Sequence, residues 1–400
     1  MSGPLAGVQV VDLTTMIAGP LATCILADQG AEVIKIERPQ GGDHARQVAD
    51  RRGGFSASFL HNNRGKRSVT LDLKHARGRD AVLKLAARAD VFVQNFRPGV
   101  VERLGLDEAS VRAVRPDIVY ASVSGFGFEG PWARRPVYDP LIQALSGLAS
   151  VQGAGGRPRL VRTILPDKVT AIQASQAITA ALFARARTGQ GTHVQLSMLD
   201  TVTAFLWSSD MSGLTFVGDE APAAEEAQSF VELIYQSADG YLAVSAHTDS
   251  TWAGLCRAVG RLDWLEDPRF STVSLREINK PARLELTQSA LIMRPTAEWL
   301  ERLAAEDVPC APVLSRSETL GNAQVKANGS LVEREHPQAG HIRQARPAAR
   351  FDGFGDALPG HAQRLGADTR AVLGEAGYDQ AEIDALIADG IATDAQEGDA

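Results

Sequence analysis

The sequence is poor in cysteine and has no excess of basic residues, and each shortage excludes a class of function. The three cysteines, Cys24, Cys256 and Cys310, are widely separated and form no CxxC pair, so neither a disulfide framework nor a zinc site is predicted. The 41 lysines and arginines are outnumbered by 48 aspartates and glutamates, which gives a formal net charge of −7. Proteins that bind nucleic acid need a basic face for the phosphates. We therefore expect no metal centre and no nucleic-acid partner.

Long apolar runs are also missing. No stretch of about 18 uninterrupted apolar residues occurs, so no transmembrane helix and no membrane partner are predicted. No lysine or arginine precedes Lys35, and Asp12 interrupts the first apolar stretch, whereas a signal peptide has a basic start and a clean apolar core. With 44% hydrophobic and 22% charged residues, the composition is that of an ordinary folded protein. We expect a soluble protein of the cytoplasm.

Several sequence motifs for nucleotides and for hydrolysis are absent as well. The predicted first strand is followed by Thr14–Pro20 and not by the GxGxxG turn that holds a dinucleotide. An NAD-dependent dehydrogenase is therefore only a distant alternative. The chain contains no GxxxxGKS/T loop, no HExxH and no GxSxG, so ATP-dependent, zinc-dependent and serine-dependent hydrolysis are not predicted.

What is present in the first half of the chain is an alternation of strand-like and helix-like segments. The predicted helices cover about 20–29, 77–89, 107–113 and 168–187, and the predicted strands cover 8–13, 32–37, 68–73, 91–96, 118–123 and 193–198. This order predicts an α/β fold with a mainly parallel, doubly wound sheet. Ligands of such sheets bind beyond the carboxyl ends of the strands.

A polar, alanine-rich segment at 218–228 indicates a linker between two domains. The predicted organisation, in chain order, is a large Rossmann-like domain over 1–217, the linker over 218–228, a smaller α+β domain over 229–325 with strands at 233–235 and 241–244, and a return linker with the C-terminal part of the large domain over 326–400.

Six sequence blocks occur together in one order. They are IAGPLATCILADQGAEVIKIERPQGGD, NNRGKRSVTLDLK, VFVQNFRPGVVERLGL, SGFGFEGP, YDPLIQALSGL and PDKVTAIQASQAITAALFARARTGQGTHVQLSMLD. Together they closely resemble the class III CoA-transferase family of CaiB/BaiF type, which includes formyl-CoA transferase, carnitine CoA-transferase and alpha-methylacyl-CoA racemase. The resemblance is strong over about residues 4–201 and weaker beyond.

The resemblance implies an enzyme whose substrates are an acyl-CoA and a small carboxylic acid, with no tightly bound cofactor. It also implies a homodimer of two interlocked chains, in which each large Rossmann-like domain is built from both chain ends. The residues that it places on CoA are Ile17, Ala18, Arg38, Leu71, Lys74, Asn95, Phe96, Arg97 and Arg103, and it places Tyr138 near CoA or the acyl oxygen.

The arginines in this set suit the ligand on physical grounds. CoA carries several phosphate charges, and an acidic protein must gather arginines locally to bind them with bidentate hydrogen bonds. Arg38, Arg97 and Arg103 follow predicted strand ends. Any one of them taken alone is equally well explained as a solvated surface charge.

The resemblance assigns the reaction to Asp167, whose carboxylate would form an acyl anhydride and then an aspartyl-CoA thioester. The position just before the predicted helix 168–187 also suits a helix N-cap. The two roles are compatible, because a helix start supplies free N–H groups and positive potential that stabilise a carboxylate and a reacting oxyanion.

Two alternatives remain open at this point. The racemase branch needs a His-Asp pair, but this sequence has Tyr138 and Asp139, and a tyrosine is a poor base at neutral pH. A 2-methylacyl-CoA racemase or epimerase is therefore disfavoured, and a non-catalytic acyl-CoA-binding protein is opposed by the presence of Asp167. Where some members carry a run of glycines in the small domain, this chain has only Gly240 between Tyr235 and Tyr241, which predicts a different lid.

Overall fold

The computed structural model describes residues 3–48, 50–153, 157–218, 233–355 and 358–395. Spatial clustering divides the chain into a large unit, Met1–Ala227 with Gly329–Ala400, and a small unit, Gln228–Asn328. Residues 219–228 of the predicted linker lie outside the described residues. The predicted domain boundaries stay a prediction.

Strands and helices alternate along most of the described chain. The strands are β1 (Gln9–Asp12), β2 (Glu32–Glu37), β3 (Arg51–Arg52), β4 (Phe55–Ser56), β5 (Lys66–Thr70), β6 (Val91–Gln94), β7 (Val119–Ser124), β8 (His193–Ser197), β9 (Ile234–Gln236), β10 (Tyr241–Val244), β11 (Cys310–Pro312), β12 (Leu331–His336) and β13 (Gly340–Ala345). The α-helices are α1 (Ala18–Asp28), α2 (Ala57–Asn62), α3 (Ala76–Ala86), α4 (Val100–Leu104), α5 (Glu108–Val114), α6 (Asp139–Leu145), α7 (Leu148–Val151), α8 (Leu165–Thr188), α9 (Met198–Trp207), α10 (Asp249–Val259), α11 (Asp263–Glu266), α12 (Val273–Ile278), α13 (Lys280–Leu291), α14 (Thr296–Ala305), α15 (Arg316–Thr319), α16 (Ala323–Ala327), α17 (Thr369–Glu375) and α18 (Gln380–Ala388). Two 3₁₀ turns cover His44–Gln47 and Ser212–Thr215.

The large unit is built on a six-stranded sheet in the order β5-β2-β1-β6-β7-β8, and every neighbouring pair in it is parallel. Alternate residues of the strands fill two cores. On one face Val10, Val33 and Val91 pack with α1 and α8. On the other face Val11 and Phe92 pack with α3, α5, α17 and α18. Helices thus cover both faces, and the predicted doubly wound α/β fold is confirmed.

The small unit contains a three-stranded antiparallel sheet in the order β11-β10-β9. Its core is rich in large aromatic side chains, among them Trp252, Trp264, Phe270 and Trp299, each no more than 2% exposed. This architecture is the α+β type that the sequence predicts. Across all the described residues, the helices are too short or too polar to cross a membrane.

Several element boundaries differ from the prediction for identifiable reasons. The third predicted strand, 68–73, runs instead over Lys66–Thr70, because the buried polar residues Lys66 and Ser68 belong to it and break its apolar pattern. The predicted helix 168–187 begins three residues earlier, at Leu165, with Pro166 in its first turn, where proline costs no hydrogen bond. The hairpin β12–β13 was not predicted, because seven of its twelve strand residues are polar or charged.

At Gly78 the start of α3 packs closely against the backbone of Asp72. A Cβ atom placed there would lie 2.1 Å from the backbone oxygen of Asp72. We expect Gly78→Ala to lower the free energy of unfolding by about 2 kcal/mol or more. Gly374, in α17 with no outside atom within 4 Å of such a Cβ, is the matched control, and Gly374→Ala should raise it by about 0.5–1 kcal/mol. Urea unfolding measures both values, and equal effects would contradict the packing described.

Candidate active site

The predicted binding residues follow strands whose carboxyl ends lie at one edge of the sheet. Arg38 follows β2, Leu71 and Lys74 follow β5, Asn95 to Arg97 follow β6, and Ile17 and Ala18 follow β1 through a short loop. In the order β5-β2-β1-β6-β7-β8, β2 and β5 lie on one side of β1, and β6, β7 and β8 lie on the other. The switch point of the sheet is therefore between β1 and β6. Crevices at such switch points are the usual ligand sites of open α/β sheets.

The loop after β1 is fixed across this switch point by hydrogen bonds. The backbone N–H of Thr15 donates to Asn95 Oδ1 at 2.9 Å, and Asn95 Nδ2 donates to the carbonyl oxygen of Thr15 at 2.9 Å. Met16 has φ +70°, a left-handed conformation that costs a non-glycine residue energy, and its N–H donates to Asp43 Oδ1 at 3.0 Å. The side chain of Asn95 therefore positions the loop.

Buried charged side chains also fix the position of the loop after β1. Lys35 Nζ, 1% exposed, lies 3.0 Å from Asp43 Oδ2 and donates to the carbonyl oxygen of Thr14 at 2.7 Å. Asp12 Oδ2 lies 3.0 Å from Lys66 Nζ, with both residues buried. Asp12 Oδ1 also accepts the backbone N–H of Thr14 at 2.8 Å. Burial alone would raise the pKa of Asp12, but the two lysines and the hydrogen bonds outweigh it and lower that pKa.

A third buried pair shapes the neighbouring loop that carries Arg38. Arg46 donates to both oxygens of Glu37, at 2.8 and 2.7 Å, and Glu37 Oε1 also accepts the N–H of Asp43 at 2.9 Å. Arg38 itself is exposed and donates through Nε to the carbonyl oxygen of Gly42 at 3.0 Å. The guanidinium of Arg38 thus projects from a loop that buried charges keep in one conformation.

Asp167 lies at the meeting point of two helix N-termini. It is the third residue of α8, not its N-cap as predicted; Ile164 occupies the cap position and makes no side-chain cap hydrogen bond. Helix α1, which begins at Ala18, packs along α8, and the Ala18 backbone lies near enough to the Asp167 carboxylate to lower its pKa. The carboxylate therefore faces the positive ends of two helices.

Asp139 and Gln143 hold the start of α8 in place. The Asp167 N–H donates to Asp139 Oδ2 at 3.2 Å, and Gln143 Nε2 donates to Asp139 Oδ1 at 2.6 Å. Gln143 also bridges to the segment before the helix, because its Oε1 accepts the N–H of Val161 at 2.8 Å and its Nε2 donates to the carbonyl of Thr163 at 3.2 Å. The position of Asp167 is thus determined by α6 as well as by α8.

The surroundings of Asp167 alter its acidity. Burial and the nearby Asp139 carboxylate raise its pKa from 3.8 to about 6, although the backbone of Ala18 and the charge of Lys168 act in the opposite direction. Burial also raises the pKa of Asp139. At pH 7 Asp167 is mainly ionised, but as a more basic carboxylate than one in water, which is a favourable state for a nucleophile.

The other predicted binding residues occupy different environments. Arg97, Arg103 and Lys74 are exposed, and among the described residues the guanidinium groups of Arg97 and Arg103 have no hydrogen-bond or ion-pair partner. Leu71 is fully buried in the sheet core, so that only its backbone faces the edge, and Phe96 packs partly against the same core. The roles of these residues on CoA stay predictions.

Tyr138 is the N-cap residue of α6 and is 66% exposed. It is placed directly before Asp139, so its side chain projects from the same loop that leads to the Asp139–Asp167 contact.

Within the described ranges, no three histidine, cysteine, aspartate or glutamate side chains are grouped so that they could hold a metal ion.

Sequence reasoning missed the residues that hold the loop after β1 in place. They are Asp12, Lys35, Asp43 and Lys66, together with Asn95, which was predicted only as a CoA contact. A usable signal was present. Charged residues inside otherwise apolar strands, such as Lys35 in EVIKIE, are rarely buried without partners. Their pairing across strands, however, depends on the strand order and not on any local spacing.

Comparison with known proteins places the chain in one family. The profile of CoA-transferase family III matches residues 5–369. The chain is 33% identical over 394 residues to succinyl-CoA:glutarate CoA-transferase of Mus musculus, covering 97% of this chain and 90% of that protein. It is 35% identical over 339 residues to acetyl-CoA:oxalate CoA-transferase of Acetobacter aceti, covering 83% and 86%. A crystal structure of a CAIB/BAIF family protein from Brucella suis superposes with a TM-score of 0.82 at 30% identity, covering 94% of this chain and 100% of that one.

We expect Asp167→Asn to stabilise the fold at pH 8. The pKa of Asp167 is higher in the folded chain, about 6 against 3.8, so stability falls as the pH rises through this window. The full difference corresponds to about 3 kcal/mol, which partial exposure reduces to roughly 1–3 kcal/mol. Urea unfolding at pH 8 should show this gain, and at pH 4.5, where folded Asp167 is protonated, more than half of it should disappear. A gain that does not change with pH would contradict the raised pKa.

Proposed function

Because this chain belongs to CoA-transferase family III, we propose that it moves CoA from an acyl-CoA donor to a small carboxylic acid through covalent intermediates on Asp167. The protein is an enzyme that transfers CoA between acyl-CoA thioesters and carboxylic acids. The resemblance of its sequence blocks to the family is confirmed. The relatives named above act on succinyl-CoA with glutarate and on acetyl-CoA with oxalate, which supports a short carboxylic acid as the acceptor here.

The proposed reaction has two symmetrical halves. The Asp167 carboxylate attacks the donor thioester carbonyl, the C–S bond breaks, and an aspartyl anhydride and CoA thiolate result. The thiolate then attacks the aspartyl carbonyl of the anhydride, giving an aspartyl-CoA thioester and the donor acid. The acceptor carboxylate attacks this thioester to form a second anhydride, and the released thiolate attacks its acyl carbonyl to give the new acyl-CoA and free Asp167. Covalent catalysis thereby divides one difficult exchange into easier steps.

The observation that supports the proposal is the position of the Asp167 carboxylate against the Ala18 backbone at the start of α1. Each step passes through a tetrahedral oxyanion at a carbonyl carbon next to Asp167. Backbone N–H groups at helix starts are suitable donors for such an oxyanion, because they are fixed before the reaction begins. The raised pKa of Asp167 gives the carboxylate added nucleophilicity while leaving it ionised at neutral pH.

CoA binding is proposed at the carboxyl edge of the sheet. The unpaired guanidinium groups of Arg97 and Arg103 and the exposed Arg38 and Lys74 would neutralise the phosphates. Ile17 would contact CoA through the loop after β1, and Ala18, beside Asp167, would lie at the thioester end of CoA. No tightly bound cofactor is required, because CoA enters and leaves as a substrate.

Exposed apolar side chains support the proposed homodimer. Ile172 and Phe183 on α8 are 60% and 64% exposed, and Phe205 and Trp207 on α9 are 47% and 48% exposed. Ile172 and Phe183 are eleven residues apart and so lie on one face of the helix. Large exposed apolar surfaces usually mark interaction sites. The interlocked arrangement and the cytoplasmic location remain predictions.

The direct test of the proposal is loss of the nucleophile. We expect Asp167→Ala to reduce CoA transfer at least a thousandfold while leaving the affinity for CoA within a few-fold, because the carboxylate reacts but contributes little to ground-state binding. Hydroxylamine added to the wild type with an acyl-CoA donor should modify Asp167, and omission of the donor is the control. Wild-type exchange in Asp167→Ala would contradict the proposal. So would deuterium uptake from heavy water into a 2-methylacyl-CoA without acyl exchange, which indicates a racemase.

The Asp139 carboxylate should shift the acid limb of the pH profile, which the pKa of Asp167 determines. With the pKa of Asp167 near 6, kcat/KM should fall as the pH decreases below about 6, since the nucleophile becomes protonated. Asp139→Asn removes the neighbouring charge and keeps an acceptor oxygen, so the limb should move to lower pH by roughly one pH unit or less. Asp117→Asn, at the surface before β7, is the control and should leave the profile unchanged. A limb that does not move in Asp139→Asn would contradict this coupling.

The arginines at the strand ends should act in binding rather than in chemistry. Arg97→Ala and Arg38→Ala should each raise KM for acyl-CoA roughly tenfold to a hundredfold with little change in kcat, the effect of one lost charge-assisted contact. Arg187→Ala is the matched control, because Arg187 lies in the last turn of α8, away from the carboxyl edge. Steady-state kinetics measures all three. Unchanged KM in both test variants would show that these arginines are surface charges.

A further inference from the structure

The outer edge of the parallel sheet is closed by the C-terminal part of the chain. Strand β5 stands first in the sheet order, with β2 as its neighbour, so the N–H groups on its other side need acceptors that are not strands. The N–H of Ser68 donates to Asp368 Oδ2 at 2.8 Å. The N–H of Thr70 donates to Thr369 Oγ1 at 3.2 Å. Side chains at the start of α17 thus take the place of a further strand.

The same pairing continues past the end of β5, into the loop that carries Lys74. The N–H of Asp72 donates to the carbonyl oxygen of Ile391 at 2.7 Å. Asp72 in turn fixes the rest of the loop, because its Oδ1 accepts the N–H of Lys74 at 2.9 Å and its carbonyl oxygen accepts the N–H of His75 at 3.1 Å. The contact with Ile391 therefore acts on the residue around which the loop turns toward α3.

Thr70 holds the C-terminal segment 391–394 against the sheet. The residue is fully buried, and its Oγ1 donates to the carbonyl oxygen of Thr393 at 2.8 Å and accepts the N–H of Thr393 at 2.7 Å. Ile391 is buried in the core on the same face of the sheet, and Asp394 forms an ion pair with Arg370. The segment is thus fixed by a hydroxyl, an apolar contact and a charge.

The loop that this segment holds has a place in the proposed reaction. Loop 71–75 lies at the carboxyl edge of the sheet, where the proposed function brings the phosphates of CoA to Lys74. A cationic loop that is already ordered binds a phosphate more tightly than a flexible one, because folding has already removed its backbone freedom. The phosphates belong to the nucleotide end of CoA, so ordering this loop affects that end and not the thioester.

We propose that the C-terminal segment 391–394 positions loop 71–75 and thereby sets the affinity for the nucleotide end of CoA. The inference rests on the proposed function, which places CoA at this edge. The role is one of positioning, since the segment acts through Asp72 and contacts no reacting atom. The affinity for CoA should depend on the segment, whereas the rate at saturating acyl-CoA should not.

The test compares variants of Thr70 in the full chain. We expect Thr70→Val to weaken CoA binding roughly tenfold, the effect of one misplaced charge-assisted contact, with kcat unchanged. Thr70→Ser keeps the hydroxyl and should bind CoA as the wild type does. Thr287→Val is the matched control, because it removes a buried hydroxyl of α13 in the small unit, and it should leave the affinity unchanged. Titration calorimetry measures CoA binding, and steady-state kinetics measures kcat.

An acyl thioester of pantetheine separates loop positioning from general damage to the site, because pantetheine lacks the nucleotide and its phosphates. Its kcat/KM should be equal in the wild type and in Thr70→Val. The Asp72 amide should also exchange with deuterium faster in Thr70→Val than in Thr70→Ser. Equal losses with acyl-CoA and with acyl-pantetheine would overturn the proposal.

A surface variant serves if Thr70→Val does not fold. Asp394→Asn removes only the ion pair of the segment with Arg370 and should weaken CoA binding about twofold to threefold. Asp384→Asn removes the other ion pair of Arg370 and should leave CoA binding unchanged. Unchanged CoA affinity in Asp394→Asn and in any folded Thr70→Val would overturn the proposal.

Calorimetry also distinguishes this inference from the proposed function, because it detects binding without turnover. A wild type that binds CoA and transfers none would contradict the proposed function, and the Thr70 and Asp394 variants would still decide the role of the segment. A wild type that does not bind CoA would overturn both.

Discussion

The pairing of buried charges beneath the loop after β1 is the constraint on which the candidate site depends. Asp12, Lys35 and Lys66 come from three neighbouring strands that are covered by helices on both faces. Removing one partner of such a buried pair costs about 3–5 kcal/mol, so the pairs must form together. Once formed, they leave the Thr14 carbonyl and the Asp43 carboxylate in fixed positions, and the loop has one conformation that satisfies both.

The buried ion pairs affect Asp167 through a short series of contacts in the loop after β1. Asp43 accepts the N–H of Met16, whose φ is left-handed, and Asn95 hydrogen-bonds the backbone of Thr15. Helix α1 then begins at Ala18, whose backbone lowers the pKa of the Asp167 carboxylate. Asp167 itself is partly buried and lies next to a second carboxylate, Asp139, which the folded chain tolerates at the expense of stability. Functional sites commonly show this exchange of stability for reactivity.

Part of this arrangement was predictable from the sequence. The strands β1 and β2 and the parallel sheet follow from apolar periodicity and the alternation of elements. The sequence blocks around Asp167 suggested its role, which stays a prediction, but they did not give its place in the helix, because α8 starts before Pro166.

The rest was not predictable, because it depends on partners far apart in the chain. Asp12 and Lys66 are separated by 54 residues, and Thr15 and Asn95 by 80, so that no local pattern marks either pair. The hairpin β12–β13 exposes charged side chains such as Glu333 and Arg343 and so lacks the apolar alternation of a strand.

The central claim, that the Asp167 carboxylate itself exchanges bonds with both acids, is tested most directly by oxygen transfer. In the proposed sequence one oxygen of the acceptor carboxylate remains on Asp167 when the new acyl-CoA leaves. With an acceptor acid labelled with ¹⁸O in both carboxylate oxygens, peptide mass spectrometry should find one ¹⁸O in Asp167 after a single turnover. In the next turnover either Asp167 oxygen can attack the donor thioester, so about half of the released donor acid should carry one ¹⁸O. An unlabelled Asp167 peptide after many turnovers, with product forming at the normal rate, would contradict the account.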